Sequence, residues 1–443
     1  MRKLDAPPGP TSTHPLYTAR PLGKPRRRGV RLVPLLVVCS ILLISAMLII
    51  SSIGLNALVP TTPSAKPAHA QAQTRAHPQA TPSPIPANTI AGHVYFSSSG
   101  QVSLTSSQGI ADQLDIVLAN VPAPAPGTSY YAWLINDAAV ESNTLLLGQL
   151  AVNNGAVHFH YPGNQSHTNL LGAADRLLIT EESTTPPPTV PSLDNSTWRY
   201  SAAISRTPNP GDTVHHYSEL DHLRHLLAAD PTMDKLGLPG GLDIWLFRDM
   251  QQVFEWTGSA RDNWFVQGTS LMSRQLIRIL DALDGTAYVQ QDVPTGTPFL
   301  VSLHTAQVPL LEFDAPQQEP PGLLYHIGIH LQGLVESPGV TPEQKQLAIQ
   351  IDSALSQVQS RLQQVRQDAK QLIKMNAAQL TMPQALTILN DMDKQMQDAF
   401  VGQYNEATGA IAGGVTQIHF TILQLATLNI TTVNVNSQGC PCS

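Results

Sequence analysis

The sequence predicts a multi-domain α and β chain: a single transmembrane helix, an antiparallel β-sandwich, then an α-helical bundle. Three observations predict it. An uncharged apolar run follows "KPRRR" near the start. Short alternating runs, separated by turn clusters, fill residues 90–205. Beyond residue 211 the hydrophobic spacing changes to steps of three and four.

Residues 1–29 are rich in Pro, Thr and Arg and have no apolar period, which predicts a disordered cytoplasmic tail. The run from Leu32 to about Leu55 is long enough to cross a bilayer as a helix, and no clean cleavage motif follows it before the Pro-rich segment. Residues 30–58 are therefore read as an uncleaved transmembrane anchor, with Cys39 as an ordinary membrane residue. Arg2, Lys3, Arg20, Lys24, Arg26, Arg27, Arg28 and Arg31 precede the run against one acid, Asp5. Positive charge stays inside, so the N-terminus is expected in the cytoplasm and the C-terminal domains outside a single-pass cell-membrane protein. The formal charge of the whole chain is −7 despite that basic tail, so the exterior is acidic and no nucleic acid is expected as a partner.

Residues 59–89 form a Pro-rich stalk. Within 90–205, the runs "GHVYFS", "QLDIVLA", "SYYAWLI", "TLLLGQLAV", "AVHFHY" and "RLLITEE" read as strands of a sandwich. "VNNGAV" is a tight-turn signal, because Asn-Gly supplies positive φ values. On the "SYYAWLI" strand, Tyr131, Trp133 and Ile135 share one face, with Tyr130, Ala132 and Leu134 on the other.

After the linker "RTPNP", residues 211–430 read as a helical domain. Leu347, Ile351, Leu355, Val358, Leu362, Val365, Ala369 and Leu372 make one seam, opened by Thr341 as N-cap and Pro342 at the first helical position. Ala385, Leu389, Met392 and Met396 make a second. Ile411, Val415, Ile418, Ile422 and Leu425 make a third. Leu324, Ile327, Leu331 and Leu334 mark a shorter helix. The Pro-rich stretch 285–318 is assigned no element, and 431–443 is a C-terminal tail.

Three pieces recur in a fixed order: "PGTSYYAWLIND" with Tyr131, Trp133 and Leu134; "LLLGQLAVNNGAVHF" with Leu147, Gly148, Leu150 and Gly155; and "ADRLLITEESTTPPPTVPS" with Leu177, Ile179, Thr180, Glu181 and Pro186 to Pro188. Together they resemble the extracytoplasmic domain of the anti-sigma-K factor family, over about residues 90–205. The resemblance implies a β-sandwich outside the membrane in a bacterial regulator of signal transduction. That family grips its sigma factor with a cytoplasmic helical module that often carries a His and two Cys as zinc ligands. Here the tail is about 30 residues long with His14 alone, so direct sigma-factor binding is not expected. The helical region is not covered by the resemblance.

His222 and His225 lie three apart on one expected helix, and His326 and His330 four apart on another. Such spacing puts both imidazoles of a pair on one face, as metal sites in helical bundles require, and Asp221 or Glu219 would add a carboxylate. The plainer alternative is that these histidines border an apolar stripe or sit hydrogen-bonded in the core. The terminal "CPC", Cys440 and Cys442, reads as a soft-metal or exchangeable thiol pair, or as an idle tail. Trp245, Phe247, Phe254, Trp256, Trp264 and Phe265 read as an aromatic groove or as core. No G-x-S-x-G elbow, P-loop or H-E-x-x-H occurs, so no enzyme is expected and no cofactor is identified. The expected function is a membrane-anchored extracytoplasmic sensing or binding protein, with another envelope or regulatory protein as partner. The alternative is a metal- or cofactor-binding helical-bundle envelope protein.

Overall fold

Eight strands make one antiparallel sheet: β1 (Ile90–Ser97), β2 (Gln113–Leu118), β3 (Thr128–Ile135), β4 (Thr144–Leu150), β5 (Val157–Tyr161), β6 (Arg176–Ser183), β7 (Trp198–Ala203) and β10 (Leu428–Thr432). Their order is β4-β3-β6-β7-β10-β1-β2-β5. A separate two-stranded hairpin, β8 (Gln403–Asn405) with β9 (Ala410–Ala412), lies late in the chain. The computed structural model describes residues 89–103, 106–136, 144–315, 317–407 and 409–433, all within one unit spanning Pro82–Ser443. The expected cytoplasmic tail, membrane segment 30–58, nearly all of the stalk, and Cys440 and Cys442 lie outside the described residues.

Two features replace the expected sandwich. The first is the turn at Asn154 and Gly155, which have φ of 52° and 80° as the Asn-Gly signal requires. Beyond the single bridge Asn153–Ala156, β4 and β5 diverge and pair with β3 and β2 at opposite ends of the sheet. The sheet thus curls until its ends approach: a Cβ added at Gly148 on β4 would lie 3.1 Å from the Phe159 ring on β5. One curled, nearly closed sheet therefore stands where two stacked sheets were expected. The second feature is β10, which comes from the far end of the chain and sits between β1 and β7.

The expected bundle is consequently not a separate body. Leu114, Ile116, Leu118, Tyr130, Ala132, Leu134, Leu177, Ile179 and Ile430 from the sheet share one continuous core with the helices. The outer face of β3 has its own smaller cluster of Tyr131, Trp133 and Ile135 with Leu178 and Trp198. There the Trp133 Nε1–H donates to Thr180 Oγ1 at 2.9 Å.

The helices are α1 (Leu170–Ala173), α2 (Glu219–Leu227), α3 (Pro231–Lys235), α4 (Leu242–Phe265), α5 (Thr269–Tyr288), α6 (Leu303–Gln307), α7 (Leu323–Glu336), α8 (Pro342–Ile373), α9 (Ala377–Leu380), α10 (Pro383–Phe400) and α11 (Val415–Ile422). α8 begins as its sequence requires, with Thr341 and Gln344 in a reciprocal capping box and Pro342 in the first turn. Its seam from Ile351 to Leu372 is buried, as are Ala385, Leu389, Met392 and Met396 of α10. The expected third helix is shorter than its spacing suggests. Gly413 and Gly414 interrupt it, and Ile411 lies exposed on β9.

No helix among the described residues is long and apolar enough to cross a membrane. The longest, α8, buries one stripe and is otherwise rich in Gln, Lys, Arg and Asp. The expected transmembrane helix thus has no counterpart in the described fold.

Candidate metal centre

Both histidine pairs meet between α2 and α7. Ser218 caps α2 by a reciprocal bond with Asp221, which starts the helix one turn before His222. Leu220, Leu223, Leu226 and Leu227 turn the helix into the core, and His222 and His225 follow them into burial. On α7, Leu323, Leu324, Ile327, Leu331 and Leu334 form the buried stripe that carries His326 and His330 inward.

The carboxylate of this cluster is Asp230, not Asp221 or Glu219. Asp221 is occupied in the α2 cap. Glu219 accepts from Ser205 N–H and from Gln344 Nε2–H. Asp230 instead divides its two oxygens. Oδ1 accepts the Thr232 and Met233 N–H groups as N-cap of α3. Oδ2 faces the imidazoles, 3.6 Å from His326 Nε2, 3.7 Å from His330 Nε2 and 4.0 Å from His225 Nδ1. His330 Nε2 lies 3.3 Å from His326 Nε2, and His330 Nδ1 lies 3.0 Å from His222 Nδ1. One ligand atom each from His225, Asp230 and His330 falls within a 4.8 Å span.

The Tyr217 ring covers the cluster, with centroids 4.8 Å from His225 and 5.6 Å from His222, both edge-on. Asp212 fixes the loop that brings it there by accepting the Val214, His215 and Tyr217 N–H groups, and those bonds hold its carboxyl well below the usual carboxylate range.

Burial decides the charge state. Removal from water pushes the His222, His225 and His326 imidazoles down to about 4, and the neighbouring imidazoles add to the effect. Burial alone would raise the Asp230 carboxyl, which is 1 % exposed, but the facing His330, His326 and His225 imidazoles and the Met233 N–H lower it below its ordinary value. Near neutral pH the cluster therefore offers imidazole lone pairs and a carboxylate, the donor forms a metal requires. His225 Nδ1 is buried and has no hydrogen-bond partner. An unpaired buried polar atom is costly, and a cation at this point would engage it.

The four histidines singled out by spacing are thus brought together, and the structure adds Asp230. Its sequence signal is an Asp directly before Pro231, the mark of a helix N-cap, five residues beyond His225. The aromatic set serves mainly as core: Phe247 and Phe254 pack on Phe400 at 5.6 and 5.3 Å, while Phe265, at the end of α4, is 65 % exposed. A comparison with known protein families, curated proteins and solved structures finds no match.

Proposed function

We propose that this chain is a metal-binding protein without catalytic activity, acting outside the cell membrane, with the ion seated at His225, Asp230, His326 and His330 beside His222. The observation that carries this reading is the convergence of His225, Asp230 and His330 ligand atoms within 4.8 Å, with His222 and His326 against His330, three imidazoles held neutral and His225 Nδ1 left without a partner. Imidazole with carboxylate suits divalent transition ions better than calcium or magnesium, which prefer oxygen.

The location outside the membrane is supported by the apolar N-terminal run and its basic flank. A regulatory role alongside an envelope partner is supported by the ordered strand motifs of residues 128–188. Both are part of the same proposal.

The test is metal analysis of the full-length protein purified without added metal, followed by calorimetric titration with Zn2+. About one equivalent per chain, abolished in the double variant His225→Ala/His330→Ala, is expected. Protein that purifies metal-free and gives no binding heat would refute the reading.

A further inference from the structure

The inference here rests on the metal-binding reading and deepens it. We propose that the centre is a closed, four-coordinate site for a zinc-class divalent ion, held by His225 Nδ1, Asp230 Oδ2, His326 Nε2 and His330 Nε2, with His222 as a positioning residue that fixes His330 from behind.

The spacings select the geometry. Two ligands about 2.0–2.1 Å from one ion at the tetrahedral angle lie about 3.3 Å apart. An octahedral site with the same bonds needs adjacent ligands about 2.9 Å apart. The separations here are 3.3 Å for His326–His330, 3.6 Å for Asp230–His326, 3.7 Å for Asp230–His330 and 4.0 Å for Asp230–His225. The first three stand within a few tenths of an ångström of the tetrahedral edge; His225, whose ligand atom falls within 4.8 Å of those of Asp230 and His330 but shares no such span with His326, has to turn inward to complete the tetrahedron. Three nitrogens and one carboxylate oxygen, without a thiolate, suit zinc rather than a soft monovalent ion. His225, Asp230 and His330 are buried and the His326 side chain is only 12 % exposed, so protein surrounds the ion on nearly every side, as in structural sites rather than those that keep a position open for substrate.

His222 stands outside this set. Its Nδ1 lies against His330 Nδ1, on the side of that ring away from Asp230. When His330 Nδ1–H donates to His222 Nδ1, the His330 Nε2 lone pair is fixed toward Asp230 and His326. Metal-bound histidines commonly use their second nitrogen in this way to set tautomer and ring orientation.

The fold makes specific room for that contact. A Cβ at Gly333, one turn beyond His330 on α7, would lie 2.3 Å from His222 Cε1 and 2.4 Å from its Nε2. The ring seats where α7 has no side chain, so His326, His330 and Gly333 act together at spacings of four and three.

The experiment uses full-length protein stripped with a chelator and titrated with Co2+, whose visible absorption reports coordination number. Wild-type protein should give the intense bands of a four-coordinate site at one equivalent, and His326→Ala should lose that intensity. Binding with only the weak spectrum of six-coordinate Co2+ would overturn the closed site while leaving metal binding intact. Absence of any binding would overturn both readings.

His222→Ala should weaken Co2+ binding about 10–100-fold, the range for losing an outer hydrogen-bond partner. His222→Gln, whose amide oxygen accepts from His330 Nδ1–H, should recover most of it. Gly333→Ala should reproduce the weakening with every ligand in place. Affinities within twofold of wild type for His222→Ala and Gly333→Ala would overturn the positioning role. The wild-type spectrum decides the coordination claim independently of how any variant folds.

Discussion

Replacing Ile430 by alanine would remove a fully buried side chain from a strand flanked on both sides by backbone ladders. Ile430 pairs with Gly92 on β1, and its side chain joins the core shared by sheet and helices. Ile→Ala in a core costs about 2–5 kcal/mol, with the larger values where the surroundings cannot collapse into the gap. Neighbouring strands held in register collapse little, so a loss of about 4 kcal/mol is expected. With a urea slope of roughly 3 kcal/mol/M, the midpoint should fall by about 1.3 M. The assay is urea unfolding of the full-length chain, followed in parallel by far-ultraviolet circular dichroism for the helices and by tryptophan fluorescence. Both probes should move together and by the same amount, because one core serves both layers. A loss below about 1 kcal/mol, or fluorescence and dichroism transitions that separate, would refute the shared core.

Trp133→Ala empties a fully buried site on the outer face of β3 and strips Thr180 Oγ1 of its donor, so a loss of about 3–5 kcal/mol is expected in the same assay; less than about 1 kcal/mol would place the ring outside the packed cluster. Burial pushes the Asp249 carboxyl up to about 7, against the opposing effects of the Thr305 hydroxyl and Arg248. The folded state then keeps a proton that the unfolded state releases above about pH 4, so this group's contribution to stability falls as pH rises from about 4 to 7. Asp249→Asn should flatten that part of the slope between pH 5 and pH 8, and an unchanged slope would remove Asp249 as a source. Adding Zn2+ at about 100 times its dissociation constant should stabilise the chain by about 2.7 kcal/mol, reversed by chelator, and an unfolding temperature indifferent to both would contradict binding to the native state.

Helices built on local spacing were legible in the sequence. The α8 seam, its Thr341 cap and the α10 stripe follow from steps of three and four that a single helix decides for itself. The histidine pairs were legible for the same reason, since each pair sits on one helix face. Asp230 was harder to read, because its placement depends on a turn that folds back against a helix about 100 residues later. The curled, nearly closed shape of the sheet was not legible either. "VNNGAV" predicted its turn, but whether the flanking strands pair with each other or diverge is settled by partners elsewhere. β10 was the most hidden: "LNITT" alternates over five residues only, directly after a helical run, and its partners begin at Ile90 and Trp198. Pairing across such separations leaves no local periodicity to read.

The place of β10 also bears on the order in which the chain is made. Ribosomal synthesis delivers β1, β2 and β5, and also β3, β4, β6 and β7, long before residues 428–432 emerge. Until then β1 and β7 each present an open edge to the same vacancy. β10 thus acts as a keystone: a chain lacking residues 428–432 would leave β1 and β7 with unpaired strand edges, the kind of surface through which chains associate wrongly.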